Sequence, residues 1–151
     1  MRFTLLTTIV ALGALACGKK ADQTQTPAGQ APAAPAAPAG PVVEVKMTGN
    51  GSTIAAFEPK VLTIAPGTTV RFINVSGGMH NIAFWADSIP AGAAAALTAG
   101  MPNTIDNLSG PFLMQPNDKY EVSFANAPTG TYRGYCVPHV ALGMKIAITV
   151  K

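Results

Sequence analysis

The stretch Tyr135-Cys136-Val137-Pro138-His139-Val140-Ala141-Leu142-Gly143-Met144 carries a thiol, an imidazole and a thioether in the spacing Cys-x2-His-x4-Met. The only other histidine stands well upstream, as His80 in Met79-His80-Asn81. Two imidazoles and a thiolate bind both common oxidation states of copper, and a long, weak thioether bond tunes the balance between them. His80, Cys136, His139 and Met144 are therefore the expected ligands of one mononuclear electron-transfer copper ion. Taken singly, each has a plainer reading: a lone cysteine is usually a small buried hydrophobe, a lone methionine is core, and a lone histidine is a satisfied polar residue. The set is more specific than its members, because both histidines and the single cysteine beyond residue 17 fall into it.

Such a site needs rigid elements on either side of it, so that the ligands move little when the electron arrives. From Val42 onward the chain reads as short strands separated by turns. Val42–Met47, Val61–Ile64, Thr69–Val75, His80–Phe84, Tyr120–Phe124, Gly130–Tyr135 and Met144–Val150 are rich in β-branched and aromatic residues. Ala65-Pro66-Gly67-Thr68 is a hairpin-type turn signal, and Lys145–Lys151 alternates as a strand with one buried face. Only Ala91–Ala99 invites a helix, and a short one; Asn103–Gly110 reads as irregular. Seven or so strands with turn signals and no repeat predict one antiparallel, Greek-key β-sandwich domain over residues 41–151. Cys136, His139 and Met144 would share one inter-strand loop, with His80 supplied by a separate strand.

The segments before the domain set its address. Residues 1–16 join Arg2 to an apolar run and end Ala14-Leu15-Ala16, the pattern of an export signal too short to span a bilayer stably. Cys17 follows the expected cut as the modified cysteine of a bacterial lipoprotein does, so lipidation of Cys17 is expected. Ala14 stands where such signals usually carry leucine, and Ala14 with Ala16 also satisfies ordinary small-x-small cleavage. A soluble secreted or periplasmic protein is thus the alternative. Residues 17–40 are rich in Ala, Pro, Gln and Thr and read as a disordered tether, reaching ~3.1 Å per residue where extended. With Cys17 lipidated, Cys136 is the one free thiol, and no internal disulfide is possible. The expected location is extracytoplasmic, on a membrane, at the periplasmic or outer cell-surface face.

The net charge of +3 is carried partly by the leader and tether. Beyond residue 40, Lys46, Lys60, Arg71, Lys119, Arg133, Lys145 and Lys151 nearly balance Glu44, Glu58, Asp87, Asp106, Asp118 and Glu121. No basic patch is visible along the sequence, which excludes nucleic-acid binding and predicts weak electrostatic steering.

Residues 42–151 resemble a cupredoxin, and most closely the plastocyanin type. The resemblance rests on Phe57-Glu58-Pro59-Lys60, Ala65-Pro66-Gly67, His80-Asn81-Ile82-Ala83-Phe84, Ile89-Pro90-Ala91-Gly92 and Gly130-Thr131-Tyr132-x-x-Tyr135-Cys136-x-Pro138-His139-x4-Met144. It implies a cupredoxin β-sandwich, one type 1 (blue) copper and one-electron carriage. It also implies that Asn81 ties the two ligand-bearing loops by hydrogen bonds. The family's second ligand histidine shows its edge through an apolar patch where partners dock, which assigns Met79, Pro138, Ala141 and Leu142 to an electron port here. Two departures bear on the partner. Met79 stands where plastocyanins commonly have proline, and Trp85-Ala86-Asp87-Ser88 offers one carboxylate near Tyr135 where plant plastocyanins carry several.

The expected function is a one-electron shuttle, working as a monomer with transient partners such as a cytochrome, an oxidase or a reductase. The alternative is a copper scavenger or chaperone that does not cycle. Catalysis is not expected: multicopper enzymes need further histidines, a binuclear centre needs a second loop cysteine, and no Ser-His-Asp arrangement can form without taking a copper ligand.

Overall fold

The computed structural model describes residues 40–151. The expected signal segment, Cys17 and the tether up to residue 39 lie outside the described residues. The strands are β1 (Val42–Gly49), β2 (Ala55–Glu58), β3 (Val61–Ile64), β4 (Thr69–Asn74), β5 (Ala83–Phe84), β6 (Lys119–Ser123), β7 (Gly130–Tyr135) and β8 (Lys145–Val150), with helix α1 (Ala93–Ala99) between β5 and β6. They form two four-stranded sheets, in the orders β2-β1-β4-β6 and β3-β8-β7-β5.

Period-2 alternation does the sorting. In β8, Ile146, Ile148 and Val150 are buried while Lys145 is exposed; in β4, Val70, Phe72 and Asn74 point inward. One buried cluster takes Val45, Met47, Phe57, Phe72 and Val122 from the first sheet and Phe84, Tyr132, Ile146 and Ile148 from the second. Edge-to-face pairs Phe57–Phe72 (5.9 Å) and Phe124–Tyr132 (5.3 Å) lie in this core. The buried phenols are satisfied: Tyr132 donates to the Pro128 carbonyl at 2.7 Å, and Tyr120 to that of Pro102 at 2.8 Å. Burial also raises the pKa of Tyr120 above the usual phenol range.

The structure departs from the sequence reading in four places. The Ala65–Thr68 turn joins no hairpin: β3 pairs with β8, whereas β4 pairs with β1 and β6, so the turn carries the chain between sheets. A turn signal specifies a change of direction, while burial of Ile64 and Val70 selects the partner. The sheets are mixed, because β1–β4 and β3–β8 run parallel. The expected strand His80–Phe84 contracts to Ala83–Phe84, and His80 makes only an isolated bridge to Leu113. Finally, β2 went unread, since Ala55, Ala56 and Glu58 are weak strand formers and Pro59 follows.

Candidate metal centre

The loop that carries Cys136, His139 and Met144 grows from a β-hairpin. Strands β7 and β8 pair with Tyr135 opposite Lys145, so Cys136 and Met144 stand next to each other at the strand ends, the Cys136 N–H donating to the Met144 carbonyl at 3.1 Å. Inside the loop the His139 N–H donates to the Cys136 carbonyl (3.2 Å) and the Met144 N–H to the His139 carbonyl (3.2 Å). Val140–Leu142 forms a single 3-10 turn, and Gly143 at φ 80° returns the chain to β8. The loop is thus held by its own backbone, and Cys136 and Met144 are fully buried.

His80 comes from outside the hairpin. Its backbone exchanges two hydrogen bonds with Leu113, at 3.1 and 2.8 Å. Its ring Nε2 lies 2.8 Å from the Ser76 carbonyl. A carbonyl only accepts, so Nε2 carries the proton and Nδ1 presents a bare lone pair. That lone pair faces His139 Nδ1 at 3.1 Å and Cys136 Sγ at 3.7 Å, with Sγ 3.5 Å from His139 Nδ1. Metal bonds of about 2.0 Å to nitrogen and 2.3 Å to sulfur set neighbouring donors roughly 3.3–3.6 Å apart at tetrahedral angles. The observed spacings fit a single ion at the centre of this group, and the soft sulfur with two imidazoles is the donor chemistry of copper.

Electrostatics within the cluster point the same way. Burial pushes the Cys136 thiol up, against backbone hydrogen bonds from Asn81 and His139, so a bound cation is what would release its proton. Burial, and then the neighbouring His80, hold His139 below the usual imidazole range. A neutral imidazole is the form that ligates a metal.

Asn81 joins the two halves of the site. Its Oδ1 accepts from the Val137 N–H at 2.8 Å, and its Nδ2 donates to Ser109 Oγ and the Gly110 carbonyl, both at 3.2 Å. Its backbone N–H points at Cys136 Sγ, 3.4 Å away. A further amide, Asn74 Nδ2, donates to the Gly78 carbonyl at 2.9 Å and to that of Leu113 at 3.0 Å, bracing both segments beside His80. Sequence reasoning missed Ser76, Asn74 and Ser109: Ser76 and Asn74 act partly across one local turn, four residues apart, while the Asn74–Leu113 and Asn81–Ser109 contacts arise only on folding. The Ser76-Gly77-Gly78 turn was the one local signal near them.

Around the site several apolar side chains reach the surface, with the polar Asn50 also lining the cleft at His139. His80 is fully buried, whereas His139 retains 9% of its exposure, at a cleft of about 540 Å³ bounded in part by Gly77, Gly78, Met79 and Pro138. Met79, Pro138, Ala141 and Leu142 are all exposed, and Phe112, Met114, Val137 and Val140 also present apolar surface.

Residues 43–151 match the family described as "Copper binding proteins, plastocyanin/azurin family". The chain is similar to plastocyanin of Scenedesmus fuscus, at 38% identity over 109 residues, covering 72% of this chain and 99% of that protein. It is also similar to chloroplastic plastocyanin of Physcomitrium patens, at 36% identity over 106 residues, covering 70% of this chain and 56% of that one. Among solved structures, oxidised plastocyanin from Dryopteris crassirhizoma superposes with a TM-score of 0.55 at 29% identity, over 72% of this chain and all of that one. A match across nearly the whole described domain, joined to a His-Cys-His cluster at metal-binding spacing, leaves one conclusion: this chain belongs to the plastocyanin/azurin family of copper-binding proteins.

Proposed function

We propose that this chain is a one-electron carrier with a single type 1 copper centre, held by His80, Cys136 and His139 with Met144 as the weak fourth ligand. The observation that carries the reading is the convergence of two imidazole nitrogens and one thiol sulfur within 4.8 Å of one another, in a buried cluster. When bound, copper supplies the Cu(II)/Cu(I) couple. The chain's own residues do the rest. Ser76 fixes the His80 tautomer, Asn81 holds the loop of Cys136 against the segment of His80, and the core sheets keep the donors from rearranging. Because His80 is sealed in and His139 is not, an electron exchanged with a partner would cross the His139 edge, through the apolar surface of Met79, Pro138, Ala141 and Leu142.

The export-type leader and the cysteine after it support an extracytoplasmic carrier anchored through lipid on Cys17, with residues 17–40 as its tether and transient redox proteins as partners. Among the described residues no helix is long and apolar enough to cross a membrane. Metabolic labelling with a fatty-acid analogue should mark the exported protein, and Cys17→Ser should abolish the label and release the protein from membranes.

Loading the chain with Cu(II) should give an intense thiolate-to-copper absorption and reversible voltammetry, and Cys136→Ser should remove the colour, since the charge-transfer donor is gone. A colourless protein that binds only Cu(I) would favour a copper scavenger or chaperone. Colour that survives Cys136→Ser would defeat the ligand assignment.

A further inference from the structure

Three of the cations scattered along the sequence come together in the fold. Arg133 on β7 faces Ala147 on β8, and Tyr135 faces Lys145, so Arg133 and Lys145 are diagonal neighbours on the outer face of the β3-β8-β7-β5 sheet. Lys60, just before β3, joins them through its carbonyl, which accepts from the Ala147 N–H at 3.0 Å. Lys60, Arg133 and Lys145 line one shallow cleft of about 180 Å³ together with Trp85. All three are exposed, and none forms an ion pair among the described residues; the salt bridges there belong to Arg71, with Glu44 and Glu121 on the opposite sheet. Asp87, the carboxylate nearest in sequence to Trp85, accepts a hydrogen bond from Ser88 Oγ.

Like charges placed side by side on a sheet cost stability, so the clustering calls for a reason. Lysines often guard sheet edges against pairing, but β7 and β8 are the two inner strands of their sheet. Edge protection does not account for Arg133 or Lys145. Trp85 gives the cleft an aromatic wall: it stacks on Tyr135 at 4.4 Å and 20°, and Lys145 Nζ lies 5.8 Å from the Trp85 ring centroid. Tyr135 is covalently bonded to Cys136, which places this aromatic pair one residue from the cysteine.

We propose that this face, centred on Lys60, Arg133 and Lys145 around the Trp85–Tyr135 pair, docks an acidic redox protein that presents a cluster of carboxylates. The choice follows from charge complementarity, which governs encounter rates more than affinity. The inference rests on the carrier reading above and specifies its partner. It also revises the expectation of weak steering: a near-neutral domain can steer a partner when one face groups several unpaired cations.

The test oxidises the copper(I) form of the full chain with two one-electron oxidants, anionic hexacyanoferrate(III) and cationic tris(phenanthroline)cobalt(III). In each case one electron leaves Cu(I), giving Cu(II) and hexacyanoferrate(II) or cobalt(II), and no bond or proton moves. The hexacyanoferrate rate should fall with added salt, and Arg133→Glu/Lys145→Glu should lower it about tenfold at low salt while raising the cobalt rate. Lys46→Glu/Lys119→Glu, which changes net charge equally on the other sheet, should have a clearly smaller effect. Polyglutamate should compete with hexacyanoferrate on the wild type and not on Arg133→Glu/Lys145→Glu. Equal effects of the two double variants, or no competition by polyglutamate, overturn the proposal while reversible voltammetry leaves the carrier reading standing. Exchange with neither oxidant defeats both. If Arg133→Glu/Lys145→Glu leaves the hexacyanoferrate rate unchanged but releases the chain from phosphatidylglycerol vesicles, the face is a membrane contact and the proposal falls.

Discussion

Met144 and Asn81 act on the site in separable ways. Met144 is fully buried beside Cys136 and tied to His139 through its own N–H, so replacing it with leucine keeps volume and apolar character while removing the sulfur. Met144→Leu should keep the blue absorption and raise the reduction potential, because a donor that favours Cu(II) has gone; voltammetry on matched samples reads this. Asn81 contributes packing of a different kind. Asn81→Ala strands the Val137 N–H and the Gly110 carbonyl, both of which it now satisfies. A loss of about 3 kcal/mol is expected from the urea midpoint, together with a changed absorption spectrum of the copper-loaded protein. A stability loss with an unchanged spectrum would make Asn81 a fold staple only.

At the scale of elements, the loop that brings Cys136 beside His139 was legible because it is short and grows from one hairpin. The His80 side was less so. The strand pattern of His80–Phe84 predicts a regular strand, yet His80 sits outside β5 and is positioned by Leu113, Ser76 and Asn74. The Leu113 contacts have no local sequence signature because they span a fold-level pairing, and the Ser76 contact, four residues away, depends on the conformation of the intervening turn. The same limit explains the Ala65–Thr68 turn, the parallel pairings and the cationic face: strand partners are chosen by global burial, and residue chemistry becomes surface chemistry only after that choice. The segment before His80 is testable through Gly77. Gly77 sits at φ 92°, and a Cβ there would lie 2.6 Å from the Gly49 backbone carbonyl carbon. Neither atom can yield cheaply, so Gly77→Ala should shift the loop that carries the Ser76 carbonyl. The expected result is a loss of about 2 kcal/mol or more in stability and a weakened hold on copper, read by competition with a chelator. Full copper affinity at reduced stability would show that Ser76 does not govern the His80 ring.

For the molecule as a whole, the sandwich core is extensive enough to fold without metal. Its described part contains a single free cysteine and no disulfide, and buried side chains from both sheets meet in one cluster. Copper should therefore stabilise a folded domain: removing it with a chelator should preserve the far-ultraviolet β signature and lower the melting temperature. At a free metal concentration of a hundred times Kd, mass action is worth about 2.7 kcal/mol. The metal-free form carries its own pH dependence. His139 is held below its ordinary imidazole value of 6.5 by burial and by His80, so the folded state takes up its proton less readily than the unfolded chain. Stability is then complete above that ordinary value and declines as pH falls through it, levelling off below the depressed folded value. Urea midpoints of the metal-free protein should fall between pH 7 and pH 5, and His139→Gln, which cannot titrate, should reduce that fall. A slope unaffected by His139→Gln would place the acid sensitivity elsewhere in the domain. Copper adds to the same slope, because the ion competes with protons for His139, and the loaded protein should consequently lose its stabilisation by metal over the same acid range.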